Sequence, residues 1–392
     1  MLARFLHIED AGRQRSLIAA ILCATLCGCG FSLLMPVMSL NLEAMTGSGK
    51  IVGLFGAVAA LSTVIASPFA PRLMAKIPGR RLIVIALVLT AVSHPLFPLI
   101  PNVHAWFLIR FVSGLAITIV FVSSETWINQ IAPPERRATI LGLYATALAS
   151  GFGMGGLLLA AVGSDGWLPW TTGTLLFAIG AIPIAFLQGP DIAPPDPAHS
   201  TLRAMWGAAI FAPAAIGAGI LFGATEQSFF AVFPVYGERI GLFDAQIGFM
   251  MAAGALGGIA LQAILGRIAD HVGRLRVALI ATLVCVIGPI LIYFAGANAW
   301  ALYAVMFFYV GVATGLYTLG LALIGERFNG GSLAAANAAF VTAYGVGSLI
   351  GPTLGGAAMD IMDPHGLLII TSGFAVVYLA FLGVRHITRR TG

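Results

Sequence analysis

Charge is scarce in this chain. Asp, Glu, Lys and Arg together make up 9% of the 392 residues, whereas a water-wetted globular domain carries roughly 25%. That shortage excludes a soluble domain. Cysteine is sparse as well: Cys23, Cys27, Cys29 and Cys285 all lie inside apolar runs, where a thiol behaves as a small hydrophobe, so no disulfide framework is implied. No cluster of His, Cys and Asp supplies a nucleophile, a base or a metal site, so neither an enzyme nor a resident cofactor is expected. Long polar stretches are missing too. A non-transporting membrane sensor usually adds a long soluble domain, and here the termini and the central polar segment are short.

What fills the chain instead is apolar sequence, 59% hydrophobic residues with a mean hydropathy of +0.98. A helix needs ~20 apolar residues to cross the hydrocarbon. Such runs lie near 16–40, 51–73, 82–100, 105–131, 138–161, 168–188, 206–236, 245–266, 276–296, 300–324, 332–358 and 365–385. Backbone polar groups in lipid must be satisfied within the segment, so these runs are expected as helices, in an all-α membrane protein with twelve spans. The first run follows Arg4, Arg13 and Arg15 without an early small-residue cleavage site, which reads as a retained span and not a removed signal peptide.

The net charge of +5 reports topology and not nucleic-acid binding, because the basic residues are spread along the chain and form no patch. With the N-terminus placed inside, all 20 Lys and Arg except Lys50, Arg239 and Arg110 fall in inner segments. Lys50 and Arg239 lie outside and Arg110 lies within a span. This bias orients both termini toward the cytoplasm, in a multi-pass protein of the bacterial inner membrane.

One Pro-rich polar segment, Gln188 to His199, falls near the midpoint. It divides the chain into an N-terminal six-helix half (1–190), a cytoplasmic linker (191–205) and a C-terminal six-helix half (206–392). The halves carry matching pieces: Phe31 to Val37 against Phe229 to Val235, Phe111 to Gly114 against Phe308 to Gly311, and Gly151 to Gly156 against Gly351 to Gly356. Each offset is close to half the chain. An even number of spans per copy makes these parallel repeats.

The turn Gly266-Arg-Ile-Ala-Asp270-His-Val-Gly273-Arg274 and its degraded copy Ala75-Lys76-Ile-Pro-Gly79-Arg-Arg81 resemble the loop signature of the major facilitator superfamily. Arg110-Phe-Val-Ser-Gly114 is similar to that family's fourth-helix arginine signature. Gly347 to Gly356 resembles its Gly-Pro-Gly-Gly signature, here on the eleventh span and not the fifth. Ser123 to Asn129, Arg136 to Tyr144 and Ala245 to Met251 are similar to the bacterial YcaD-like group, whose neighbourhood includes riboflavin and copper importers. The resemblance implies a secondary transporter of a small organic solute, with a riboflavin-like molecule as the first candidate. A drug or metabolite exporter of the same fold is the alternative, disfavoured by the position of the Gly-Pro-Gly-Gly motif. The copper importers of that neighbourhood carry Met pairs on span seven and a His-Met pair on span eight. Residues 206–236 contain no Met and 245–266 no His, so Cys23 and Cys27 read as packing.

Ionisable residues inside a span are costly and need a partner or a role. Glu226, followed by Gln227, reads either as a substrate and proton group, making the carrier a symporter, or as a cap on a helix break near Pro234. Glu125 shares a helix face with Asn129 and reads as a cavity carboxylate or as an interfacial residue near Arg136. Arg110 lies ~22 Å up the same helix, too far to pair with Glu125. His94, before Pro95, reads as a titrating group or as a ring settled at a kinked helix end. Trp127, Tyr144, Phe230 and Tyr344, with Phe121, Phe229, Phe233, Tyr309 and Tyr317, would wall the central cavity that the resemblance implies, or serve as interhelical packing. The resemblance also implies a cytoplasmic latch. In it Asp270, beside Arg274, meets Arg136 or Arg137 at the start of span five, with Lys76 and Glu326 as a reversed pair in the other half. Pro36 and Pro234 are expected to break spans one and seven. The expected partners are a small-molecule substrate, a proton and the lipid bilayer, for a monomer.

Overall fold

A computed structural model describes residues 10–67, 69–133, 136–186, 189–192, 207, 209–328 and 330–391. Within them the chain forms fifteen helices and no strand. In order these are α1 (Ala11–Thr46), α2 (Gly49–Ala66), α3 (Ala70–Met74), α4 (Gly79–Ser93), α5 (Leu96–Leu99), α6 (Val103–Ile131), α7 (Arg137–Val162) and α8 (Leu168–Phe186). After the linker come α9 (Pro213–Ala231), α10 (Phe233–Arg239), α11 (Asp244–Val272), α12 (Arg274–Ala295), α13 (Ala299–Gly325), α14 (Gly330–Ile361) and α15 (Gly366–Thr391). Eleven helical segments are long and apolar enough to cross a membrane, and the pair α9–α10, bent by 49°, makes a twelfth.

Three boundaries differ from the sequence expectation, each for a local reason. The first helix starts earlier, at Ala11, because the Asp10 carboxylate accepts the N–H groups of Gly12 and Arg13 at 2.8 and 3.2 Å and caps it. The turn 266–276 is not a loop. Helix α11 runs on to Val272, and only Gly273, at φ +101°, separates it from α12, a backbone conformation that a side chain would strain. Pro36 does not break α1, which continues through it; one missing hydrogen bond is tolerated within a long helix. Pro234, in contrast, follows the bend at Val232 as expected.

Contacts group the chain into two units, one of residues 1–37 with 61–197, the other of 38–60 with 198–392. The C-terminal end of α1 and most of α2 thus belong to the second unit. In unit 1, α1 crosses α7 where Gly151 lies against the Thr25 carbonyl, and a Cβ at Gly155 would come within 2.5 Å of the Cys29 oxygen. His94 closes one end of this unit: it is 3% exposed, and its ring stacks on Phe177 at 5.1 Å beside the Phe97–Trp106–Trp170 cluster. That is the settled reading of His94. In unit 2, Gly223 meets the Tyr344 carbonyl and Gly347 the Ile220 carbonyl, so α9 and α14 approach backbone to backbone; Gly257 against Phe307 does the same for α11 and α13.

Of the Pro-rich segment, Gly189 to Ile192 is described, and it is fastened to unit 1. Trp127 Nε1 donates to the Pro190 carbonyl at 3.0 Å, Arg80 Nη1 to the Gly189 carbonyl at 3.0 Å, and the Arg80 N–H to Asp191 at 2.9 Å. The rest of the expected linker, from residue 193 on, lies outside the described residues.

Candidate functional site

The close crossing of α9 and α14 puts one carboxylate and one phenol face to face. Tyr344 Oη donates to Glu226 Oε2 at 2.6 Å, the length of a charge-assisted O–H···O bond. Aromatic rings wall the pair. Phe222 stacks on Tyr344 at 5.7 Å, Tyr317 meets both at 5.5 and 6.0 Å, and Phe340 lies against Tyr317 at 5.2 Å. Glu226 and Tyr344 are half-buried, so each keeps a face open. Phe222 and Phe340 are buried behind the pair, whereas Tyr317 is half-buried like Glu226 and Tyr344; the exposed parts of these three combine an apolar ring edge with a polar anchor.

The neighbours of Glu226 have other tasks. The buried Gln227 donates from Nε2 to the Gly56 carbonyl at 3.0 Å, tying α9 to α2. Phe230 is 7% exposed and packs edge-on against Phe229 at 5.1 Å.

In unit 1 the predicted residues do not form one cluster. Arg110 is 3% exposed and donates to Met35 Sδ at 2.7 Å, with its guanidinium 5.8 Å from the centre of the Phe31 ring. Its partners come from another helix, as its separation from Glu125 requires. Glu125 and Asn129 are exposed on one face, but Asn129 Nδ2 bonds the main-chain carbonyl of Glu125, at 3.0 Å, and not its carboxylate. Tyr144 shares a 3.2 Å hydrogen bond with Ser124. Trp127, at 1% exposure, is spent on the linker. Cys23 and Cys27 have their sulfurs 3.9 Å apart. No group of three or more His, Cys, Asp or Glu is arranged for a metal ion among the described residues.

Two of the predicted latch residues pair with each other inside unit 2. Arg274 Nη1 reaches Glu326 at 3.2 Å and the Ala322 carbonyl at 2.8 Å, so Glu326 is paired within its own unit. Asp270, Lys76, Arg136 and Arg137 are exposed.

A cluster that sequence reading missed lies at the opposite end of unit 2. Arg239 reaches Glu43 at 2.6 Å, Asp360 at 3.0 Å and Asp363 at 2.7 Å; the Arg239 and Glu43 side chains are only 14% and 12% exposed. Asp360 also accepts from Ser48 Oγ at 2.7 Å and from the N–H groups of Gly49 and Lys50 at 2.6 and 2.9 Å. A residue of α14 thus caps the first turn of α2. The available signal was that Arg239 is one of only two basic residues expected outside, with acids at the neighbouring span ends.

A family model described as Major Facilitator Superfamily matches residues 20–242 and again 215–391. The MFS-type transporter YfkF of Bacillus subtilis is 26% identical over 369 residues, covering 92% of this chain and 93% of its own. The MFS-type transporter YcaD of Salmonella dublin is 30% identical over 284 residues, 71% of this chain and 72% of its own. Among solved structures, the nucleoside transporter NupG superposes with a TM-score of 0.75 at 15% identity, over 96% of this chain and 99% of that one. A D-xylose-proton symporter does so with a TM-score of 0.72 at 17% identity, over 94% and 96%. Likeness at such identities concerns the fold; the family match spans the sequence itself, and on it the chain belongs to the Major Facilitator Superfamily, as a multi-pass membrane transporter similar to the YcaD group.

Proposed function

We propose that this transporter is a proton-coupled symporter for a small, flat organic solute, working by alternating access with both termini cytoplasmic in the bacterial inner membrane. The observation that carries the reading is the half-buried Glu226–Tyr344 pair beside the half-buried Tyr317 ring, with Phe222 and Phe340 packed behind them. An aromatic wall suits a ring system, and a carboxyl hydrogen-bonded to a phenol suits the exchange of a proton or of a polar substituent. A riboflavin-like solute, a fused ring bearing a polyol, has both features. The structural neighbours, a nucleoside transporter and a D-xylose-proton symporter, are compatible with such a solute.

Under this reading the cluster around Arg239 is the outer gate. It fastens residues of 38–60 to α10 and α14, and opening toward the outside requires its release. The Asp270 latch toward span five remains part of the proposal, as the inner counterpart.

Thermal-shift screening of the purified protein against riboflavin, nucleosides and sugars tests the substrate class, because a bound ligand raises the melting temperature by mass action. Counterflow of the labelled hit in proteoliposomes then tests transport. A shift with riboflavin and exchange of its label are expected. A shift only with a non-aromatic solute would overturn the substrate reading, and binding without counterflow would favour a sensor.

A further inference from the structure

At the end of unit 2 that carries the α11–α12 turn, a cavity of about 510 Å³ opens between the starts of α9 and α12, the end of α13 and α15. Three arginines line it, Arg274, Arg276 and Arg327, with a single carboxylate, Glu326. Glu326 is matched by Arg274, and Arg327 lends one nitrogen to the Phe211 carbonyl at 2.8 Å. Arg276 is exposed and takes part in no ion pair among the described residues. The excess is two positive charges. The cavity also receives the N-terminus of α12, which no side chain caps, so the positive end of that helix faces the same space.

The rest of the lining is apolar: Leu275, Leu279, Leu323 and Leu382. The apolar side continues along α12 as Ile280 and Leu283, which are 55% and 46% exposed on a helix that spans the membrane. A cationic mouth leading into an outward apolar track has the two-part character of a lipid, with phosphate at the arginines and an acyl chain along the leucines. A soluble anion would have no use for the track.

We propose that this cavity binds the phosphate headgroup of an anionic phospholipid, with an acyl chain running along Leu275, Leu279 and Leu283. The site is separate from the Glu226–Tyr344 pair and does not depend on which solute is carried.

The test is native mass spectrometry of the full-length protein after incubation with vesicles of equal phosphatidylglycerol and phosphatidylcholine. The wild type should retain phosphatidylglycerol at least tenfold over phosphatidylcholine. The double variant Arg276→Gln/Arg327→Gln should lose about tenfold or more of that retention, the scale of a charged hydrogen bond removed. Leu279→Trp keeps every arginine and fills the cavity, and it should lower retention as well. Equal retention of the two lipids by the wild type would overturn the proposal. Undiminished retention in Leu279→Trp would do so too, because it would mean adsorption by surface charge alone. Displacement of the lipid by millimolar inorganic phosphate would reassign the cavity to a free anion. Melting temperatures are read in the same preparations. Should the double variant unfold early, Arg276→Gln, at an exposed side chain, carries the test with the same expected sign.

Discussion

Asp360, near the end of α14, accepts the main-chain N–H of Gly49 at 2.6 Å, so it caps a helix that begins more than three hundred residues earlier in the chain. The same carboxylate holds Arg239 at 3.0 Å. One side chain therefore joins the start of α2 to the end of α10, and its charge matters to both bonds.

Replacing Asp360→Asn keeps the shape and removes the charge. The amide still accepts one hydrogen bond, but the pull on Arg239 and on the α2 terminus weakens, by about 0.5–2 kcal/mol for the cap alone. Ala231, fully buried at the end of α9 against Gly56 of α2, becomes the reporter when changed to cysteine. Its labelling by a membrane-impermeant thiol reagent should rise severalfold in the Asp360→Asn background. Equal labelling rates in both backgrounds would deny the cluster a gating role.

Gln227→Leu tests the tie between α9 and α2. The substitution is close in size but leaves the Gly56 carbonyl without its 3.0 Å donor. Gly56 lies inside α2, where its carbonyl keeps its helical donor, so the loss is one hydrogen bond, about 0.5–1.5 kcal/mol. A lower melting temperature in detergent is expected, with ligand binding at Glu226 retained. If binding disappears while the melting temperature holds, Gln227 contacts the solute directly.

Gly347→Leu tests the crossing that builds the site. Any side chain there meets the Ile220 main chain, and because backbone cannot yield as a side-chain tip can, α9 and α14 must separate. Overpacking of this kind costs about 1–3 kcal/mol or more. Expression of folded protein should fall sharply, whereas Gly142→Ala, where a Cβ meets nothing within 4 Å, should be silent.

Trp127→Phe tests the linker anchor. The ring still packs, but the Nε1–H bond to the Pro190 carbonyl is gone, at a cost of about 1 kcal/mol. Limited proteolysis should cut the segment after Pro190 faster, with little change in global melting. An unchanged cleavage rate would mean that the Arg80 contacts to Gly189 and Asp191 suffice.

The twelve spans were legible because each apolar run must satisfy its own backbone in lipid, so composition alone decides that a helix forms there. Where a helix stops was less legible. Hydropathy reports membrane depth, and charged residues such as Arg267 and Asp270 can ride on a helix that has left the hydrocarbon. Glu226 was legible as an isolated acid in an apolar run. Its partner Tyr344 and the wall of Phe222 and Phe340 depend on how α9 and α14 cross, a tertiary relationship that no local pattern encodes. The same holds for Arg239. Its charge was visible, but its three acids come from two distant parts of the chain. Trp127 and Gln227 looked like ligand contacts because polar and aromatic residues in a span have few other readings. The structure spends both on backbone carbonyls.

The most direct test of the account is uptake of the identified solute into proteoliposomes under an imposed proton gradient, comparing wild type with Glu226→Gln. In the variant, which has no carboxyl to carry the proton, gradient-driven accumulation should fall by at least about tenfold, while counterflow exchange persists. Full accumulation with an unchanged pH profile in Glu226→Gln would contradict it.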